Sequence, residues 1–197
     1  MIAIAIFGPT GVGKTSLALK IAKNYGEIIS VDSRQVYKYM DIGTAKATKS
    51  DIETVPHHMI NLITPDQSFT AGRFRREASA VIDNLKSKNK IPLLVGGTGL
   101  YFDALIEGLS DIPSVSTSIR ESVIDRWLKN GQPAMYELLS LVDSVYAKKI
   151  HPNDKQRTLR ALEIFYETKK PFSSFFISKK GYESDIKYIK IGINIDR

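Results

Sequence analysis

Eight residues near the start of the chain, Gly8-Pro9-Thr10-Gly11-Val12-Gly13-Lys14-Thr15, fit the pattern G-x-x-x-x-G-K-[ST]. Glycines at these places let the backbone turn so that successive N–H groups point inward at one anion. A helix beginning at the end of the turn adds the partial positive charge of its N-terminus. Lys14 brings a point charge, and the Thr15 hydroxyl is placed to bind a magnesium ion. Gly8, Thr10, Gly11, Val12, Gly13, Lys14 and Thr15 are therefore the candidate polyphosphate-binding residues, with Thr15 as the metal ligand. The pattern specifies a polyphosphate. It does not specify hydrolysis.

A nucleotide triphosphatase ordinarily has a second strand ending in Asp, for magnesium, and a residue that positions water. Here the apolar run IPLLVGG ends in Gly96-Gly97-Thr98-Gly99, without an acid. The acid at a strand end near the turn is Asp32, after EIISV. Substrates of open parallel sheets sit at the carboxyl ends of the strands. Asp32 is thus placed to accept a proton from an acceptor group, or it caps a turn with Ser33. A proton-accepting acid beside a phosphate site suits a transferase, either a small-molecule kinase or an enzyme that moves another group from a diphosphate.

The elements that must position these groups follow from hydrophobic patterning. IAIAIF (2–7) reads as a buried parallel strand, and a helix runs from the glycine turn to about Asn24 with Leu17, Leu19 and Ile21 inward. EIISVD (27–32), HMINLI (58–63), IPLLVGG and KYIKIGINI (187–195) are further strands. Between them lie the helix TAGRFRREASAVIDNLKSKNK, with Phe74, Ala78, Val81 and Leu85 at helical spacing, and a helix beginning at TGLYFDALIEGL. This alternation predicts a parallel sheet with helices on both faces. From about Asp111 to Glu183 the rhythm changes to helices alone: STSIRESVIDRWLKN, PAMYELLSLVD, a short piece ending at AKKI, and NDKQRTLRALEIFYETKK. The reading is an α/β fold of the P-loop NTPase kind spanning 1–112, a helical insertion over 113–183, and a return to the core over 184–197. The chain stops on a strand with no covering helix after it, and a further C-terminal part is expected.

With no cysteine, disulfides, thiolate metal sites and a cysteine nucleophile are excluded, and the histidines are too few and scattered for a zinc site. No apolar stretch approaches the length of a membrane span, and MIAIAIF has no basic segment before it, so a cytoplasmic chain is expected. A formal net charge of +7 admits a polyanionic partner such as nucleic acid, or simply a basic soluble protein. Nothing in the patterning calls for a second subunit, and a monomer is expected.

Several stretches line up in order: GPTGVGKT, SVDSRQVYKYMDIGTAK, PHHMIN, FTAGRF, LLVGGTGLY and HPNDKQRTLRALE. This ordered set resembles the tRNA dimethylallyltransferases, which modify the adenosine next to the anticodon, and the resemblance covers nearly the whole chain. It implies that the turn grips the diphosphate of dimethylallyl diphosphate with Mg2+. An adenine exocyclic amine then attacks the allylic carbon, and diphosphate leaves. Charge on the departing diphosphate would be stabilised by the N–H groups, Lys14 and the metal at Thr15. Asp32 would accept the amine's proton. The catalytic set implied is Asp32, Lys14 and Thr15. Asp32, Ser33, Arg34, Gln35 and Thr98 would face the target nucleotide, while Arg120, Gln156, Arg157, Thr158, Leu159 and Arg160 would contact the tRNA anticodon stem-loop. The adenine must be extruded into the pocket, a cost lowered in a loop that is already single stranded. The chain departs from the family at Asn61, where Asp is common. Arg197 matches a family arginine near the diphosphate.

Two other classes keep the same turn. A small-molecule kinase would use Asp32 and consume ATP; a regulatory nucleotide-binding module would bind without turnover. Arg157 and Arg160, three apart on one helix, could span two phosphates or lie on a solvated face. Arg73, Arg75 and Arg76 at a helix start are either exposed charge or a hint of an anionic partner. His57-His58 reads as a turn pair bonded to backbone, and Trp127, on a helix with Ile124 and Leu128, as a core residue.

Overall fold

The computed structural model describes residues 1–110, 112–177, 179–180 and 186–194. The chain divides into two compact units, Met1–Leu109 with Lys180–Arg197, and Ser110–Lys179.

In the first unit, strand β1 (Ile2–Phe7) enters the glycine turn and helix α1 (Lys14–Tyr25) leaves it. Strand β2 (Gly26–Val31), helix α2 (Lys49–Thr54), the short strand β3 (His57–His58), helix α3 (Ala71–Ser87), strand β4 (Ile91–Gly96) and helix α4 (Gly99–Ile106) follow. Leu109–Ser110 (β5) and Lys179–Lys180 (β6) form a separate two-stranded ladder, and β7 (Lys187–Gly192) returns to the main sheet. The main sheet has the order β3-β2-β4-β1-β7, and every pairing in it is parallel. Neighbouring residues of one strand serve opposite faces, as the two-residue period requires. Ile6, Ile28 and Leu93 pack toward α1, whereas Ala5, Ile29 and Leu94 pack against Phe74, Ile82 and Leu85 of α3 and Leu105 of α4. β2 is buried at every position, consistent with its unbroken apolar reading.

Three details differ from the sequence reading. The fully buried residues of α1 are Ala18 and Ala22; Leu17, Leu19 and Ile21 are only partly covered. Small side chains let the helix sit close to the sheet while the leucines spread along its flanks. On α3 the buried set is Phe74, Ala78, Ser79, Ile82 and Leu85, with Val81 beside it. The strand expected over 58–63 shrinks to His57–His58, because Met59 and Asn61 take positive φ (62° and 54°) that no extended strand accommodates.

The second unit is helical. α5 (Thr117–Val142) is interrupted at Gly131 (φ 76°, ψ 173°), so two helices meet there, and Pro133 falls in the first turn of the second, where no N–H is required. A short α6 (Ser144–Ala147), α7 (Lys155–Thr168) capped by Asp154, and a 3₁₀ turn at Phe172–Ile177 complete it. Its core joins Val123, Met135, Leu139, Leu159, Leu162 and Ile164. Trp127 packs at the edge of this core under Lys155, whose Nζ lies 3.2 Å from the ring centroid, but Ile124 and Leu128 are exposed.

Glu27 locks the far end of β2. Its carboxylate accepts hydrogen bonds from His58 Nε2 and Lys90 Nζ, both at 2.7 Å. Burial alone would raise its pKa, but these two partners outweigh it and hold the carboxyl below its usual value. That stability is present above the ordinary glutamate pKa and is lost as pH falls through the depressed one. Glu27→Gln is expected to cost about 2 kcal/mol, less than a fully buried pair because Lys90 is half exposed. Acid unfolding followed by far-UV circular dichroism should then fall off less steeply than in the parent.

Candidate active site

Gly11 and Gly13 of the turn have φ of 84° and 89°, the left-handed region that glycine enters without cost, and Gly13 is the N-cap of α1. At the end of β4, a Cβ on Gly96 would collide with the Val31 carbonyl, so only glycine lets the two strand ends close together there. One cavity of about 270 Å³ opens at this place. Thr10, Gly11, Gly13, Lys14, Thr15 and Ser16 line it from the turn and α1, Ile28, Ser30 and Asp32 from β2 and its end, and Val95 and Gly96 from β4. Gln35, Thr44, Ala45 and Ala47 contribute from the loop after β2, with His57 beyond them. The glycine turn, Lys14, Thr15 and Asp32 therefore share one chamber. Gly8 and Val12 lie outside its lining, and Val12 buries its side chain. A second, more apolar cavity of about 400 Å³ borders the turn at Gly8 and Pro9, against Phe7, Phe102 and Ile106.

Lys14 Nζ donates to the carbonyls of Gly8 (2.8 Å) and Pro9 (2.7 Å). Burial lowers its pKa, partly opposed by the charge of Asp32. Asp32 Oδ1 accepts from the N–H groups of Arg34 (2.8 Å) and Gln35 (3.3 Å), while Oδ2 has no hydrogen-bond partner among the described residues. The turn-capping and proton-accepting readings of Asp32 thus fall on different oxygens of one carboxylate. Thr98 supports this arrangement: its Oγ1 accepts from Ser33 N–H (3.0 Å), and its own N–H donates to Val31 (3.2 Å). Gln35 is a staple. Its Oε1 accepts from Ser30 Oγ (2.8 Å), and its Nε2 donates to Thr44 and Ala45 carbonyls (3.0 Å each). One lone pair on Oε1 remains open. Ser33 is half-buried and Arg34 exposed.

On α7, Gln156 and Arg157 are exposed, and Arg157 makes only a long contact to Asp154 (3.4 Å). Arg160 is half-buried and shares its guanidinium with Glu163 (3.1 Å). Arg120 is exposed on the first turn of α5. Thr158 and Leu159, also expected to contact tRNA, turn their side chains inward. Thr158 is 0% exposed, with its hydroxyl bonded to Asp154 O and Gln132 Nε2, and Leu159 belongs to the helical core. They follow the inward side of the same turn that carries Arg157 and Arg160 outward. Arg197 lies outside the described residues.

His57, read as a turn residue, lines the chamber. Its Nδ1–H donates to the Val55 carbonyl (2.8 Å), so Nε2 is an acceptor, and it is buried without a partner. Burial, first among its influences, lowers its pKa and keeps the ring neutral. His58 bonds a side chain, Glu27, rather than backbone. Arg73 pairs with Glu77 (2.7 Å) and lies over the Phe69 ring. Asn61 finds its role in Lys46, whose Nζ donates to Asn61 Oδ1 (2.8 Å). An aspartate there would offer the same acceptor oxygen with a charge. Among the described residues, no group of three or more His, Cys, Asp or Glu converges to hold a metal, and no helix is long and apolar enough to cross a membrane.

The comparisons with known proteins agree on one group. A curated "tRNA dimethylallyltransferase 2" of Geotalea uraniireducens is 45% identical over 197 residues, 98% of this chain and 63% of that protein. The "tRNA dimethylallyltransferase" of Nitrosomonas eutropha is 46% identical over 187 residues, 94% of this chain and 58% of that one. The chain thus spans about three fifths of the length of the curated relatives it matches. A crystal structure of a eukaryotic dimethylallyltransferase acting on tRNA superposes with a TM-score of 0.79 at 33% identity, over 97% of this chain and 48% of that one. The full-length tRNA isopentenylpyrophosphate transferase of Bacillus halodurans gives 0.58 at 38%, over 96% and 59%. The parallel sheet flanked by helices is therefore the fold of these relatives. The IPP transferase model, in turn, matches residues 35–197, everything from the loop beyond Asp32 onward, and the chain belongs to that family.

Proposed function

We propose that this chain transfers a dimethylallyl group from dimethylallyl diphosphate to the exocyclic amine of the adenosine on the 3′ side of the anticodon in tRNA, releasing diphosphate. The observation that carries the reading is the chamber itself, where anion-binding Lys14 and Thr15 and the carboxylate of Asp32 line one space. The relatives' names point the same way.

An allylic carbon tolerates positive character, so the barrier lies in charge gathering on the leaving diphosphate. Turn N–H groups and Lys14 oppose that charge in place, without reorganising. An adenine amine is a weak nucleophile because its lone pair is drawn into the ring. Oδ2 of Asp32 takes its proton as the carbon–nitrogen bond forms, while Oδ1 stays anchored to the loop. Thr98 fixes the backbone behind Asp32 by holding Ser33. The donor set suits Mg2+: Thr15 offers a hydroxyl oxygen, and a hard ion with few protein ligands takes the rest from a diphosphate. Bound there by Thr15, it would add positive charge beside the leaving group.

The helical unit is assigned the grip on the anticodon stem-loop, through Arg120, Gln156, Arg157 and Arg160. Arg157→Ala is expected to weaken tRNA binding and lower the salt slope of log K by about one; Arg160→Ala, already shared with Glu163, lowers it less. Equal slopes for parent and Arg157→Ala, measured by filter binding between low and moderate salt, would remove the assignment. The proposed setting is the cytoplasm, and the proposed state a monomer. Incubation with labelled dimethylallyl diphosphate and unmodified tRNA tests the whole reading: label should enter the tRNA. ATP consumed with no label transferred would instead indicate a kinase.

A further inference from the structure

The loop that follows Gln35 is held far more tightly than its surface position requires. Lys46, with a side chain only 4% exposed, spends all three ammonium donors pinning it: on Tyr37 O (2.8 Å) and Asp41 Oδ1 (2.7 Å) within the loop and on Asn61 Oδ1 (2.8 Å) outside it. Thr44 Oγ1 donates to Met40 O (2.7 Å), and Lys38 N–H donates to Ile63 O (2.7 Å). A buried ammonium without partners is costly, so the loop keeps the one shape that supplies them. That shape puts Tyr39 (φ 65°) and Ala45 (φ 48°) in the left-handed region, which side-chain-bearing residues seldom occupy. Strain of this kind persists where the surroundings over-determine it, and it gathers at working surfaces.

The strained loop displays two large apolar side chains, on either side of an exposed Asp41 that is paired with Lys46. Tyr39 is 80% exposed and Ile42 99% exposed. A slack loop would fold such side chains down; this one presents them outward. The same loop lines the reaction chamber through Thr44 and Ala45, and exposed Arg34 and Lys38 flank it. Cations beside exposed rings and aliphatic groups match a polyanion with uncovered base faces. Extruding an adenine from an RNA loop leaves its neighbours unstacked, and unstacked bases find partners on aromatic and apolar side chains.

We propose that residues 37–46 form a preset platform on which unpaired bases of the RNA substrate stack, with Tyr39 and Ile42 as contact residues and Lys46 as the positioning residue. This rests on the reading that the chain acts on RNA.

The test measures binding of an anticodon stem-loop RNA by fluorescence anisotropy, and of inorganic diphosphate by calorimetry. Tyr39→Ala and Ile42→Ala should each weaken stem-loop binding by about tenfold with the salt slope unchanged, since no phosphate contact is lost. Diphosphate affinity should not move. Lys46→Met should lose stem-loop affinity to a similar extent and speed hydrogen exchange of the loop amides, again with diphosphate affinity kept; a merely structural role would move both affinities. A Tyr39→Ala/Ile42→Ala double variant that binds the stem-loop as the parent does would overturn the platform alone, leaving those side chains to a protein contact. A parent that binds no stem-loop would bring down the RNA reading and the platform with it.

Discussion

Asp32→Asn is expected to lower turnover about a hundredfold or more while leaving diphosphate affinity within about twofold. Asparagine is the informative replacement because of how the carboxylate is divided. Its side-chain carbonyl can still accept from the Arg34 and Gln35 N–H groups, so the bend after β2 and the position of Ser33 against Thr98 are preserved. What is lost is the anionic oxygen that accepts a proton. Alanine would remove the bend's anchor as well and confound the two roles. Single-turnover transfer of labelled dimethylallyl into tRNA, alongside calorimetric titration of diphosphate, separates chemistry from binding. Turnover in the asparagine variant equal to the parent's would exclude Asp32 as the proton acceptor.

The second large effect falls on Lys14, and its signature differs. Lys14→Ala should cost on the order of 10²–10³ in turnover and also weaken diphosphate binding, because the ammonium opposes charge already present on the donor and charge that grows as it leaves. Lys14→Arg should not restore activity. Lys14 Nζ reaches two carbonyls, Gly8 and Pro9, within one tight turn, a place for a compact point charge rather than a planar fork. Partial burial lowers the pKa of the amine, and the charge of Asp32 opposes that shift. The pair of variants therefore divides the reaction: one loses chemistry alone, the other chemistry and donor binding together. Identical profiles in the two would show that the chamber does not separate leaving group from nucleophile as argued.

Much of the chamber could be read before any coordinates. The glycine turn, Lys14, Thr15 and Asp32 are consecutive or stand at a strand end, and a strand–turn–helix reading places them without long-range information. The parallel sheet was equally plain, since IAIAIF, EIISV and IPLLVG are buried on both faces and carry the unbroken apolar character that burial demands. Less legible was whatever depends on the third dimension. Thr158 and Leu159 sit within a run of letters shared with a family motif, yet the turn of α7 points them into the core while its neighbours face out. Apolar scoring favours leucines on α1, although the closest approach to the sheet belongs to alanines. His57 reads as a turn residue from sequence, since its place in the chamber lining depends on the fold. Lys46 is invisible for a similar reason: its meaning lies in Asn61, fifteen residues away, and in the Tyr37 carbonyl and Asp41 carboxylate brought together by positive-φ turns.

The pairing of β1 with β7 joins Ile2 to Lys187, residues far apart along the sequence. A sheet closed in this way cannot be completed until the polypeptide has emerged through β7, and such long-range contacts are among the slowest to form. The helical unit is built from neighbours along the chain and can consolidate first. While it does so, the exposed flank of β1 waits without its hydrogen-bonding mate, an adhesive edge on a nascent protein. Conditions that slow elongation through residues 110–180 should therefore raise the yield lost to aggregation more than the same delay placed earlier.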